Sequence, residues 1–237
     1  MSDGFKNKPK ILHGAFVEFG LSIPPLIVPF QFNPVKLTRS RSLRFSVPNK
    51  KKTTKGEKKE ERGISLREFH RREEFIDLFK LQEKQTVEVQ EESIRFDIRL
   101  DATDKLNEGD PITAQFGIEP QLATLELMVH PKEESIMGAI FRMLSPKGFS
   151  WTKGENPPMI LFIWGSRRVL PVNINSITIT ETEFSRELSP IRAEVSVDLT
   201  VIEGLDPIYT ISKLDKEITS MFNIANLIDI TDVVIPG

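Results

Sequence analysis

Arg192 to Val201 reads RAEVSVDLTV. Ala193, Val195, Val197, Leu199 and Val201 take alternate positions, with Arg192, Glu194, Ser196, Asp198 and Thr200 between them. Successive side chains of a strand point to opposite sides, so this stretch is a strand with one apolar and one polar face. Ile94 to Leu100 repeats the pattern: Ile94, Phe96, Ile98 and Leu100 alternate with Arg95, Asp97 and Arg99. The expected fold is therefore mainly β with inserted helices (α+β), a β-barrel or sandwich with a helix or two packed on it.

Working outward, Met159 to Trp164 is a continuous apolar run, which reads as a strand buried on both faces, and Gly165 to Arg168 as the turn after it. Val172 and Ile174 are apolar on even positions, Ile177 and Ile179 on odd ones. That change of phase within one strand region predicts a bulge near Asn175-Ser176. Upstream, Val28, Phe30 and Phe32 alternate as a short strand, Asn33-Pro34 marks a turn, and a second strand is expected over Arg39 to Val47. Residues 49–63 are a charged run without a face to bury, expected to be a solvated loop. Ser65 and Glu68 have capping-box spacing and open a helix expected over 65–84, on which Phe69, Phe75 and Phe79 are candidates for the core or for contact with a neighbouring subunit. Leu122, Leu125 and Val129 predict a further helix, and Ile136, Ile140, Met143 and Leu144 another after Pro131. A polar turn region is expected over Asp101 to Asp110. Asp206-Pro207 ends the main domain, expected over 1–205, and 206–237 form a C-terminal extension.

The chain has 237 residues, 39% of them hydrophobic and 28% charged, enough for a sizeable core. Its 32 basic and 34 acidic residues leave a net charge of -2, which gives no sign of bulk affinity for nucleic acid or membrane surfaces. Without cysteine there is no disulfide, thiolate metal site or cysteine nucleophile. No signal peptide or membrane-length apolar run is read, so synthesis and assembly in the cytoplasm are expected.

No catalytic constellation is read in the sequence. His13, His70 and His130 sit in unrelated segments without metal-ligand spacing. Asp101, Asp104 and Asp110 lack the order of a calcium loop, and Asp101 and Asp104 are read as turn residues. No phosphate-binding glycine loop or nucleophile elbow occurs. The expectation is no catalytic residue, no cofactor and no metal, hence no enzyme. Trp164 is read as a packing residue.

Four stretches, in order, resemble the tube and baseplate proteins of contractile injection systems, the phage-tail-like particles related to antifeeding prophages and Photorhabdus virulence cassettes. They are Phe30-Gln31-Phe32-Asn33-Pro34; Phe96 to Asp104 with Asn107 to Pro111 and Gly117 to Leu122; Pro157-Pro158 leading into Leu161 to Gly165; and Phe184 with Pro190-Ile191-Arg192-Ala193. Phe32, Asn33, Pro34, Asp101, Asp104, Trp164, Gly165, Pro190 and Arg192 are the motif positions. The closest likeness is to tube-initiator or hub-adaptor proteins.

The resemblance implies a tail-tube-like domain and a homo-oligomeric, hexameric ring joining the inner tube to the spike hub and starting tube assembly. Inner-tube, spike or hub, and baseplate wedge proteins are the implied partners, with neither nucleic acid nor membrane insertion. Tyr209-Thr210-Ile211, Phe222-Asn223-Ile224, Asn226-Leu227 and Ile235-Pro236-Gly237 resemble fragments of a LysM pattern, making the extension a degenerate LysM remnant. Two other readings stand beside this one: an inner-tube or tube-end subunit of the same machine, and a LysM-like carbohydrate-binding protein. Arg95, Asp97, Arg99, Glu194 and Asp198 are candidates for a lumen lining or an outer ring surface.

Overall fold

The structure is a computed structural model describing residues 12–20, 26–47, 64–131 and 156–223. The charged run over 49–63 and the helix expected after Pro131 lie outside these residues. Strands make up 37% and helices 32% of the described residues, so the fold mixes α and β with sheet leading. The chain divides into two units, one of Met1–Arg39 with Ser93–Gly237 and one of Ser40–Glu92. The division thus falls around an internal insertion, whereas a boundary at 205/206 was expected.

The larger unit is built on a curled, half-barrel antiparallel sheet. Its strands are β1 (Ala15–Glu18), β2 (Ile27–Pro29), β3 (Leu37–Ser40), β6 (Ser93–Asp101), β7 (Ile160–Trp164), β8 (Arg168–Phe184) and β9 (Pro190–Val201), in the order β2-β1-β7-β8-β9-β6-β3. The two alternating stretches pair as their patterns require. Ile94 faces Leu199, Phe96 faces Val197, Ile98 faces Val195 and Leu100 faces Ala193, all buried. On the other side Arg95 faces Asp198, Asp97 faces Ser196 and Arg99 faces Glu194. The expected bulge is present, since the β8–β9 register shifts between Ile174 and Ser176. It returns Ile177 and Ile179 to the side of Ile174, where all three pack against the core.

Four phenylalanines centre that core. Phe16 lies 5.1 Å from Phe30 and 6.0 Å from Phe96, and Phe96 lies 5.3 Å from Phe162. Such offset and edge contacts stabilise the cluster by about 0.5–1.5 kcal/mol per pair beyond the burial itself. Three short helices follow β6: α3 (Thr103–Asn107), α4 (Pro111–Phe116) and α5 (Glu119–Val129). The polar turn region expected over Asp101 to Asp110 is therefore partly helical. Asp110 caps α4, accepting from the backbone N–H of Ile112 at 2.9 Å. The expected helix around Leu122 and Leu125 is α5, which buries Leu122, Leu125 and Met128 and lies against β8 and β2. In β7, Ile160 and Phe162 are buried while Leu161, Ile163 and Trp164 are half-buried, so its second face is only partly covered.

The smaller unit departs further from expectation. The strand expected over Arg39 to Val47 is interrupted at Arg41-Ser42: β3 joins the large sheet, and β4 (Leu43–Ser46) pairs instead with β5 (Thr86–Val89) in a two-stranded ribbon. The helix expected over 65–84 is three pieces, α1 (Leu66–His70), a 3₁₀ turn (Glu73–Phe75) and α2 (Leu78–Lys84). Ser65 caps α1 by accepting from the Glu68 N–H at 3.3 Å, as its spacing predicted. Asp77 caps α2 at the Phe79 N–H, and Arg72 is extended between them. The break has a packing cause. On one continuous helix Phe69 and Phe75 would point about 120° apart. Here their rings meet at 4.6 Å, and they are 3% and 4% exposed. Of the two readings open to them, core and subunit contact, both are placed in the core of this unit. Phe79, 83% exposed, keeps the interface reading open.

Gly117 joins α4 to β9 at closest approach. Its φ is +56°, and a Cβ there would stand 2.0 Å from the carbonyl oxygen of Pro190. Gly117→Ala is expected to lower unfolding free energy by more than about 2 kcal/mol, because backbone lies on both sides of the clash. A urea titration followed by far-UV circular dichroism checks this, as a shift of midpoint to lower denaturant.

Candidate functional site

Residues from several of the motif stretches gather around the end of β6 and the entry to β1. Asp101 is their hub. Its carboxylate accepts from the Thr103 N–H (3.0 Å), the Thr103 hydroxyl (2.6 Å), Arg192 Nε (2.9 Å) and an Arg99 terminal nitrogen (3.2 Å). Arg192 also donates to Glu183 on β8. One carboxylate thereby ties β6, β9 and, through Arg192, the far part of β8.

The Gln31 side chain closes the end of β6 as a further strand would. Its Nε2 donates to the Asp101 carbonyl at 2.7 Å, and its Oε1 accepts from the Asp101 N–H at 2.9 Å. Asn33 repeats the device at the entry to β1, accepting from the Gly14 N–H (2.9 Å) and donating to the Leu12 carbonyl (2.8 Å). Gly14 must be small: a Cβ would stand 2.6 Å from the Phe30 ring and 2.8 Å from Trp164. Between these two amides, Phe32 carries the Arg99 guanidinium over its ring at 5.5 Å. Pro34 follows in the loop before β3.

The remaining motif residues separate into two groups. Trp164 is half-buried and stacks on Phe162 at 6.1 Å, with Gly165 at a positive φ of 69° opening the β7–β8 turn. The Pro190 carbonyl accepts from the Ile118 N–H at 2.9 Å, which docks the α4–α5 junction on β9. Asp104 takes no part, standing exposed in the first turn of α3. Thr103, Glu183 and Gly14 belong to the site although pattern reading did not select them. The Asp-x-Thr spacing of Asp101 and Thr103 carried a legible turn signal. Glu183 and Gly14 act across distant strands, and no local pattern marks them.

Burial is the largest influence on Asp101 and raises its pKa. The Thr103 hydroxyl, the Thr103 N–H, Arg192 and Arg99 together outweigh it and hold the group well below the usual carboxylate range. A carboxylate with its lone pairs committed to four donors is a structural anchor and a poor proton acceptor for chemistry. Among the described residues, no group of three or more His, Asp or Glu could hold a metal ion, and no helix is long and apolar enough to cross a membrane.

Two surfaces of the sheet face outward. On the polar side Arg95 pairs with Asp198 at 2.7 Å, Ser196 donates to Asp97 at 2.6 Å, and Asn175 donates to Thr200 at 2.8 Å. The second surface is a strand border. β7 pairs with β8 only from Arg168 to Val172, whereas β9 accompanies β8 to Phe184. From Asn173 to Phe184, no strand among the described residues pairs with the β7-side border of β8.

After β9, α6 (Pro207–Phe222) starts at Asp206, which accepts from the Tyr209 N–H at 2.8 Å. Tyr209, Thr210 and Ile211 are thus its first turns and Phe222 its last residue. α6 packs on β8, with the Ser212 hydroxyl donating to the Val169 carbonyl at 3.0 Å. The LysM-like fragments within 209–222 form one helix of the larger unit and not a separate module; those beyond lie outside the described residues. α6 turns Ser212, Asp215 and Lys216 toward its own unit, while Ile211, Leu214, Ile218 and Met221 are exposed at helical spacing.

No known protein-family model matches the chain, and no curated protein is similar to it in sequence.

Asp101→Asn is expected to cost about 1–3 kcal/mol of stability near neutral pH, the usual effect of weakening a charge-assisted network. A group with a depressed folded pKa stabilises the fold above its unfolded value, here near 3.8, and that contribution is lost as pH falls through the folded pKa. Denaturant midpoints of parent and variant should therefore differ by a constant amount above about pH 5 and converge as pH falls below 3.8.

Proposed function

We propose that the chain is a structural ring subunit of a contractile injection machine, placed where the inner tube meets the spike-bearing hub. Its work is assembly and it performs no catalytic step. The border of β8 from Asn173 to Phe184, which no strand among the described residues pairs on the β7 side, carries this reading. A long strand with free N–H and C=O groups is a template for pairing with another chain. Identical copies around a ring satisfy such borders by continuing the sheet from one subunit to the next.

Three further features support it. The sheet is a half-barrel with one apolar side covered by α5, so it has a face to keep and a border to complete. Its polar side pairs Arg95 with Asp198 within the subunit, which suits a lining past which cargo moves without adhering. The motif stretches that resemble tube and baseplate proteins are the ones the fold joins, through Gln31, Asn33, Asp101 and Arg192. Placement at the baseplate, and not along the tube, is favoured by what the sheet alone does not need: the inserted unit Ser40–Glu92 and the helix α6. A tail-tube-like fold and six-fold symmetry belong to this proposal.

Sedimentation velocity of the purified chain with inner-tube and hub proteins tests the reading. The expected outcome is a closed oligomer that co-sediments with both. Ile179→Lys, which places a charge on the apolar side of the free border, is expected to shift the population to monomer by at least tenfold in dissociation constant while circular dichroism is retained. A chain that stays monomeric with both partners, and is instead retained on peptidoglycan, would support the carbohydrate-binding reading.

A further inference from the structure

The β8–β9 hairpin turns through Ser185 to Ser189, directly beyond the border of β8 that the assembly reading pairs with a second copy. The turn is held by its own hydrogen bonds. The Ser185 N–H donates to the Ser189 carbonyl at 2.8 Å, and the Leu188 N–H donates to the Ser185 carbonyl at 3.1 Å. The Ser185 hydroxyl accepts from the N–H groups of Glu187 at 3.2 Å and Ser189 at 3.1 Å. At the base of the turn the Ser189 hydroxyl donates to the Gln115 carbonyl at 3.4 Å. In this frame Leu188 has a φ of +66°, and it is the one residue other than glycine with a positive φ among the described residues. Where a hairpin loop of about three residues ends in the left-handed region, glycine is the usual occupant, because a Cβ there crowds the neighbouring carbonyl. Leucine accepts that crowding and gains no burial in return. Leu188 is 78% exposed, and Phe184 at the root of the turn is 49% exposed.

We infer that Leu188 is the apolar anchor that fixes the register of a second copy along β8, packing with Phe184 on an apolar surface of that copy. The inference rests on the assembly reading and adds to it the residue that makes the contact specific. Backbone pairing alone leaves register open, since a strand border offers the same pattern of N–H and C=O groups every two residues. The side chains of β8 do little to remove that ambiguity, because Thr178, Thr180 and Thr182 alternate with Ile179, Glu181 and Glu183. A slip by two residues sets threonine where threonine stood, until the end of the strand is reached. There Phe184 and Leu188 break the repeat, and a large apolar group has one position in which it is covered. The hydrogen-bonded turn holds Leu188 ready, so docking it costs little backbone freedom. A second copy is favoured over an unrelated protein because the turn follows directly on the border from Asn173 to Phe184, and a neighbour extending the sheet there comes abreast of it.

The test is sedimentation velocity of the full chain with inner-tube and hub proteins, for the parent and each variant, beside a urea titration of each chain alone. Leu188→Asn suits the left-handed region and removes the apolar group. It should leave the unfolding midpoint unchanged or higher while weakening copy-to-copy association by at least about tenfold. Leu188→Met, apolar and of similar volume, should associate as the parent does. Leu205→Asn, which removes another exposed leucine from the loop before α6, should change neither measurement. The inference is overturned if Leu188→Asn assembles like the parent, if it loses assembly together with a lowered unfolding midpoint, or if Leu188→Met is as weak as Leu188→Asn. In the first of these cases, with Ile179→Lys still breaking the oligomer, the assembly reading stands without the anchor. A parent chain that stays monomeric with both partners removes the reading and the inference together.

Discussion

A strand that outlasts its neighbour sets the terms for this molecule. β7 stops pairing at Val172, yet β8 continues to Phe184 with β9 as its one strand partner among the described residues. Backbone groups left on such a border are satisfied by water in the free chain, at the risk of indiscriminate pairing. The apolar side of the same stretch, with Ile174, Ile177 and Ile179, rests only partly on the core. Both deficits are removed together by one neighbour that extends the sheet, which is why the border bears the functional reading.

Around that unfinished side the rest of the larger unit is tightly tied. Asp101 holds β6 to β9 and α3, and Arg192 carries the tie on to Glu183 near the far end of β8. The overhang is thereby anchored at its tip as well as at its root, so it keeps its register while one border stays open. Gln31 and Asn33 act as single-residue substitutes for strand pairing and cap sheet ends that the ladder does not reach. In these contacts both side chains act as joints between segments distant in the chain.

Much of this was legible in the residues. The alternation in 94–100 and 192–201 pairs residue for residue as its polarity demands, and the phase change near Asn175-Ser176 marks a real bulge. Leu122 and Leu125 identified α5. The losses have physical causes. Phe69, Phe75 and Phe79 fit a single helix by spacing, but an aromatic contact between two of them and a second capping residue, Asp77, break it into pieces. The run from Arg39 to Val47 reads as one strand because β-propensity is local, whereas the choice of sheet is made by partners far along the chain. α6 misled for a related reason: its apolar residues face outward, so their pattern says nothing of what it packs on. In the site, Asp101 and Arg192 were found through the motif, while Glu183 and Gly14 are bound to it only by the topology.

Hydrogen exchange along β8 tests the central claim most directly. The account predicts that amides between Asn173 and Phe184 not bonded to β9 exchange rapidly in the free chain and become strongly protected when copies assemble, while amides of β6 are protected in both states. Assembly that leaves those β8 amides as fast as in the monomer would contradict it.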